Sequence, residues 1–396
     1  MWVVGLEALI VSALAAWLIT PVTLRLAHRL GAVDLPGPRK VHSSPIPRIG
    51  GIAVFGGFVV GLGFAAAASG FLTNEHHLKA RYWTTLSVAA AAMLVLGVID
   101  DIRGLSFKVK FAAQIGASIA IWCAGFRIQL LSFPNVGFEL AWVSLLITVL
   151  WVVGITNAFN LIDGLDGLAA GTALITTATV AVIAAVGDRT AVAAISICLA
   201  GSLVGFLQFN FNPARVFLGD SGSMFLGFTL AVISIYGSQK NVTAVAVLAP
   251  LLVLGYPILD TSFAVARRLN TLRMDSVGQG GVKYVARNFS RVFLPDRGHL
   301  HHRLLDVGLS HRSAVLALYA VAVLMAAGAL AVVVMNSVAV ALLTLATLLV
   351  LTAGLGLTLF LRVRLMTRRR AAEQAAASPR PPSRSAVVPG GPLSQT

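Results

Sequence analysis

Residues Asn157–Asp166 read N-A-F-N-L-I-D-G-L-D, a stretch that holds two amides and two carboxylates. An apolar run, about Ala141 to Ile155, ends just before it, and another, about Leu168 to Val186, starts just after it. Runs of this character read as membrane spans. Charge at the boundary of a span persists only where it meets water, a metal or a substrate. Taken alone, the stretch also reads as a polar loop between helices. The same kind of boundary recurs at Asp100-Asp101 and at Asp220, and the recurrence favours one shared site.

The rest of the composition agrees. Of 396 residues, 57% are apolar and 11% charged, against about 25% charged in soluble domains. Mean hydropathy is +0.87. The chain reads as an all-α polytopic membrane protein. Cys123 and Cys198 both lie in apolar runs and suggest neither a disulfide frame nor a zinc site. The net charge of +15 raises the question of nucleic acid. In a membrane protein, clustered Lys and Arg mark the cytoplasmic face instead, so no nucleic-acid partner is expected.

Eleven spans are expected, at 2–23, 50–71, 84–99, 109–126, 138–156, 168–186, 190–208, 222–237, 242–264, 313–334 and 337–361. An odd count puts the termini on opposite sides. Of the 30 Lys and Arg residues, only Lys79, Arg81, Arg127, Arg189 and Lys240 fall on the poorer side. The richer side is then cytoplasmic, the N-terminus outside and the C-terminus inside. Residues 1–365 form the multi-span unit, which includes a cytoplasmic loop at 265–312. Residues 366–396, rich in Ala, Pro and Ser, read as a disordered tail. The first apolar run has no basic segment before it and reads as a retained span.

The cytoplasmic loops carry the information. Gly31–Gly51 is too rich in proline and glycine for a helix. Its Arg39, Lys40, His42 and Arg48 suit phosphate, or are simply residues of the positive face. Asp100-Asp101 closes one span and Lys110 starts the next; adjacent carboxylates call for a cation, magnesium or a nearby lysine. Asp220 sits in the turn G-D-S-G, either capping a helix or serving a ligand. In the largest loop, Val282, Val285, Phe289 and Val292 alternate with Lys283, Arg287 and Arg291 as on a basic amphipathic helix. After it comes P-D-R-G-H-L-H-H-R, with His299, His301 and His302 between Arg297 and Arg303. Three imidazoles suggest zinc, but no further ligand set accompanies them; beside two arginines they also suit a diphosphate.

The order Asp-Asp, N-x-x-N-x-x-D-G-x-D-G, F-N-x-x-P-A-x-V-F-x-G-D-x-G-S and His-x-His-His, with P-R-I-G-G at Pro47–Gly51, resembles the polyprenyl-phosphate N-acetylhexosamine-1-phosphate transferases. The resemblance runs from about Pro36 to Leu305. It implies transfer of a sugar phosphate from a UDP-sugar to a polyprenyl phosphate at the cytoplasmic face of a bacterial inner membrane. UMP is released, and magnesium is required, with manganese as a substitute. It implies catalytic roles for Asp100, Asp101, Asp163, Asp166, His299, His301 and His302. Asp220, with Asp101, would bind the metal. Lys110, Asn157, Asn160, Asn210, Arg48, Arg297 and Arg303 would bind substrate. His-x-His-His resembles the branch that uses UDP-N-acetylglucosamine; the muramoyl-pentapeptide branch is the alternative. A homodimer is compatible with this reading. A nucleotide-sugar or lipid transporter is the rival from another class, disfavoured because the span centres are almost bare of charge. A CDP-alcohol phosphotransferase would need D-G-x-x-A-R, which is absent.

Overall fold

The computed structural model describes residues 2–36, 44–69, 80–128, 139–238, 244–276 and 299–337, with single positions among 281–288 and 339–350. The expected amphipathic helix, Arg39, Lys40, His42, Arg297, most of the eleventh span and the tail lie outside the described residues. Twelve α-helices and one two-stranded ribbon are described. The helices are α1 Trp2–Leu30, α2 Gly51–Ser69, α3 Ala80–Arg103, α4 Phe107–Ala124, α5 Glu139–Ile162 and α6 Leu168–Val186. Then follow α7 Thr190–Asn210, α8 Gly219–Ser238, α9 Ala244–Val253, α10 Gly255–Asp275, α11 Leu300–Asp306 and α12 His311–Met335. Seven of them, α1, α2, α3, α5, α6, α7 and α12, are long and apolar enough to cross a membrane.

The bundle is organised around α8. Phe225, Leu226, Phe228, Leu230, Ala231 and Val232 on it are fully buried. Phe225 meets Phe55 of α2 edge-on at 5.3 Å between centroids. Helices α2, α3, α5 and α6 all pack against α8. On the flank, α7 is packed on α1, where Gly201 and Gly205 let the backbones meet: a Cβ at either would strike Leu9 O or Ala13 O at 2.3 or 2.1 Å. Small residues serve this purpose where lipid supplies no hydrophobic drive for helices to associate. The outer face of α1 leaves Leu6, Leu14, Trp17 and Leu18 exposed, as a lipid-facing surface requires.

One expected span is broken. The run 242–264 forms two helices, α9 and α10, that meet at Leu254. Pro250 and Pro257 each lack an N–H to donate. Pro257 falls in the first turn of α10, where that loss is harmless. Helix α10 then continues well past the expected end, carrying Arg267, Arg268 and Arg273. In the first loop, Val33–Asp34 pairs antiparallel with Ile46–Pro47, giving strands β1 and β2.

Candidate active site

The acidic motifs, with the amides Asn160 and Asn210, meet at one end of the bundle. The P-R-I-G-G segment runs beside Phe217–Leu218: Phe217 N–H donates to Pro47 O at 2.8 Å, and Gly50 and Gly51 N–H donate to Phe217 O and Leu218 O at 3.0 Å each. This pairing sets the approach to Gly219, whose φ of +73° is a glycine conformation. A Cβ there would also lie 1.8 Å from Arg48 O. The chain then enters α8 with its leading N–H groups unpaired. Asp101, at the end of α3, receives them: Oδ1 accepts from Asp220 N–H and Oδ2 from Ser221 N–H, both at 3.0 Å. A carboxylate from another helix thus caps the positive end of α8.

Its neighbour Asp100 is turned the other way. Oδ1 accepts from Leu105 N–H and Oδ2 from Lys110 Nζ at 2.7 Å. The same ammonium donates to Asp220 Oδ2 at 3.0 Å, and Asn160 Nδ2 donates to Asp220 Oδ1 at 2.7 Å. Of the two cations the sequence allowed for the Asp pair, the lysine is therefore in place. Arg48 donates from Nε to the backbone O of Asp101 at 3.0 Å and lies 4.0 Å from Asp34 Oδ1.

Beside this network opens a cleft of about 680 Å³. Its lining includes Asp34, Arg48, Asp101, Asp163, Asp166, Asn210, Asp220, His302, Asp306 and His311. Asp163 faces it from the loop after α5; burial, and next the neighbouring Asp220 and Asp101, push its carboxyl well above the ordinary range. Asp166 holds the opposite wall, accepting from Asn212 Nδ2 at 2.8 Å and Ala214 N–H at 3.1 Å. Asn210 closes the same loop, donating to Val216 O at 2.9 Å.

Other expected residues point elsewhere. Asn157 donates to Gln114 Oε1 at 2.7 Å, inside the α4–α5 interface. His299 is buried against Asp260. His301 is 1% exposed and packs on Gly164, where a Cβ would lie 2.6 Å from its Nε2. Burial lowers the His301 imidazole to about 3. Of the three histidines, His302 lines the cleft. Arg303, on the same short helix, does not. Asp260, Asn212, Gln114 and His311 were not singled out from sequence. Asp260 had a signal, a carboxylate inside an apolar run, just after Gly255 and Pro257.

A bundle of apolar helices that gathers acids, amides, a lysine and an imidazole at one end defines a polytopic membrane protein with a polar cleft at that end. The model of glycosyl transferase family 4 matches residues 83–238. Over 314 residues the chain is 43% identical to the probable undecaprenyl-phosphate N-acetylglucosaminyl 1-phosphate transferase of Bacillus subtilis, covering 79% of this chain and 80% of that one. It is 37% identical over 359 residues to the decaprenyl-phosphate N-acetylglucosaminephosphotransferase of Mycobacterium tuberculosis, covering 84% and 82% of the two chains. With the phospho-N-acetylmuramoyl-pentapeptide-transferase of Listeria monocytogenes it shares 33% identity over 59% of this chain and 74% of that one. The chain belongs to glycosyl transferase family 4, and is a multi-pass bacterial membrane protein.

Proposed function

We propose that this protein transfers N-acetylglucosamine 1-phosphate from UDP-N-acetylglucosamine to a polyprenyl phosphate, releasing UMP, as the first membrane step of a cell-envelope polysaccharide. The observation that carries this reading is the hydrogen-bonded network of Asp100, Lys110, Asn160 and Asp220, which reaches the cleft through Asp220, in a chain 43% identical to a relative named for such a transfer. The lower identity and coverage of the muramoyl-pentapeptide relatives support N-acetylglucosamine as the sugar.

A lipid phosphate oxygen attacks the β-phosphorus, the bond to the UMP oxygen breaks, and the sugar–phosphate bond is untouched. Such displacements depend on positioning and charge neutralisation. Lys110 is the fixed cation at the acidic pair. Asp100, which accepts from Leu105 N–H and Lys110, orients that lysine, and the lipid phosphate attacks directly. The acceptor needs no strong base, because a phosphate monoester has its second pKa near 6 and is mostly dianionic at neutral pH. His302 supplies a donor toward the diphosphate.

The cleft is richer in acids than its anionic substrates allow. Among the described residues, six aspartates and one arginine line it. Asp163 and Asp220 share it at close enough range to repel. Carboxylates so placed fit a hard divalent ion, and magnesium keeps several waters while using one or two protein carboxylates. Asp220 and Asp163 would hold magnesium or manganese, with Asp101 fixing the backbone behind them. When bound, the ion neutralises diphosphate oxygens.

Eleven spans, an outside N-terminus and a cytoplasmic cleft complete the reading. Their support is the crowding of Lys and Arg toward the loops that build the cleft, and the cytoplasmic location of UDP-sugars. The deciding assay measures UMP release by purified protein with polyprenyl phosphate and a panel of UDP-sugars that includes UDP-N-acetylglucosamine and the muramoyl-pentapeptide donor. UMP from the first alone, abolished by EDTA and restored by magnesium, is expected. Preference for the muramoyl donor, or full activity in excess EDTA, would overturn the sugar or the metal assignment respectively.

A further inference from the structure

Asp260 lies on α10 and is only 3% exposed. A carboxylate so far from water needs donors, and it finds two in one short segment. His299 Nδ1 is 2.7 Å from Oδ2, and the Leu300 N–H donates to Oδ1 at 2.7 Å. An ionised carboxylate only accepts, so Nδ1 carries the proton. Leu300 is the first residue of α11, and no side chain of its own segment caps that helix. Asp260 therefore caps α11 from a different helix, across 39 residues of sequence to His299. The rings then follow in series: His301 stacks on His299 at 5.7 Å and 11°, and His302 follows His301 at 4.3 Å. Only the last of the three lines the cleft.

We propose that Asp260 is a positioning residue of the active site: it clamps His299 and the start of α11, so that His302 is presented to the cleft. His299 is then a strut rather than a substrate ligand. This rests on the transferase reading for its rate measurements, though the clamp itself does not. A carboxylate on one ring nitrogen fixes both the orientation and the tautomer of an imidazole. The demand on His299 is a donor where Nδ1 stands, which an asparagine amide also supplies; its Nε2 is not required.

The test uses the full-length protein in detergent, with Asp260→Asn, Asp260→Ala, His299→Ala, His299→Asn and the double alanine variant. Asp260→Ala and His299→Ala are each expected to lower kcat by about 10- to 100-fold, the usual loss when a group that orients another is removed. KM for the UDP-sugar should barely change. The double variant should be no slower than the worse single one, since the two residues act as a unit. His299→Asn should recover most of what His299→Ala loses, and Asp260→Asn, with one acceptor oxygen left, should fall between wild type and Asp260→Ala. Hydrogen exchange of the 299–307 amides should speed up in Asp260→Ala by about tenfold or more, as expected when a helix start is unpinned. That readout needs no turnover: a wild type that releases no UMP would sink the transferase reading and leave the clamp standing. His299→Asn as slow as His299→Ala would put Nε2 on the substrate and overturn the proposal. So would multiplying losses in the double variant, or exchange that Asp260→Ala leaves unchanged. A melting temperature that falls while kcat holds would reduce the pair to a contact of the fold.

Discussion

Adjacent aspartates in this protein do different work. Asp101 ties two backbone N–H groups of α8, whereas Asp100 holds Lys110. Asp101→Asn keeps one acceptor oxygen and turns a donor toward an N–H, leaving a buried group unpaired at about 1–3 kcal/mol. The expected outcome is a clear drop in melting temperature together with activity. Asp100→Asn can keep its oxygen on Leu105 N–H and turn its amide toward Lys110, whose ammonium still reaches Asp220, so its melting temperature should fall less than that of Asp101→Asn while kcat falls by orders of magnitude. Equal behaviour of the two in thermal unfolding would contradict this division. The histidines divide likewise. His302→Ala removes a donor to shifting charge, worth about two to three powers of ten in rate, with thermal stability kept. His301, buried and lowered to about 3, stays neutral in the folded chain down to that pH. The unfolded chain takes up the proton near 6.5. Its stabilising contribution is therefore intact above about pH 6.5 and drains as pH falls toward 3, by at most about 1.4 kcal/mol per pH unit. The stability difference between wild type and His301→Gln should shrink between pH 7.5 and 5; a difference that grows would refute the burial of a neutral ring.

At the level of helices, Tyr319 shows how α12 is fixed. Its hydroxyl donates to the Gly167 carbonyl at 2.5 Å, just ahead of α6, and its ring fills the space beside Gly171. Tyr319→Phe keeps the ring and loses the bond, so a loss of about 1 kcal/mol is expected in denaturant or thermal unfolding. Gly171→Leu should be far worse, because a Cβ alone would lie 1.8 Å from that hydroxyl. Stability of Gly171→Leu equal to wild type would disprove the contact. Such pairings leave little trace in sequence. Asp100, Asp163 and Asp220 were legible because a charge stands out against an apolar background. Asp260 was merged into a span because averaging hydropathy over 242–264 dilutes one carboxylate, and with it the break at Leu254. Asn157 was legible as polar, but not as a partner of Gln114, a contact across the α4–α5 interface whose register the sequence does not fix. The separate duties of the three histidines depend on α10, which no spacing within His-x-His-His encodes.

For the molecule as a whole, the described motifs share one end, and the sequence located them there through alternation of loops. Cys123 provides a native reporter for sidedness. It is exposed, near the end of α4 away from Lys110, where Arg127 lies 4.2 Å over the Trp122 ring. In the proposed orientation a membrane-impermeant maleimide should label Cys123 from the outside of intact cells, whereas a cysteine at Asp306, exposed beside the cleft, should react only after the inner face is opened. The reverse pattern would invert the topology. Cys198, buried, should stay silent in both.

The clamp of Asp260 on Leu300 has a consequence for how such a protein can change over generations. The start of α11 is held to α10 through Asp260 whatever sequence stands between Asp275 and His299, so the geometry of the cleft is decoupled from the length of that stretch. Insertions and replacements there can accumulate, and new recognition can be tried out, while the reacting groups stay in register.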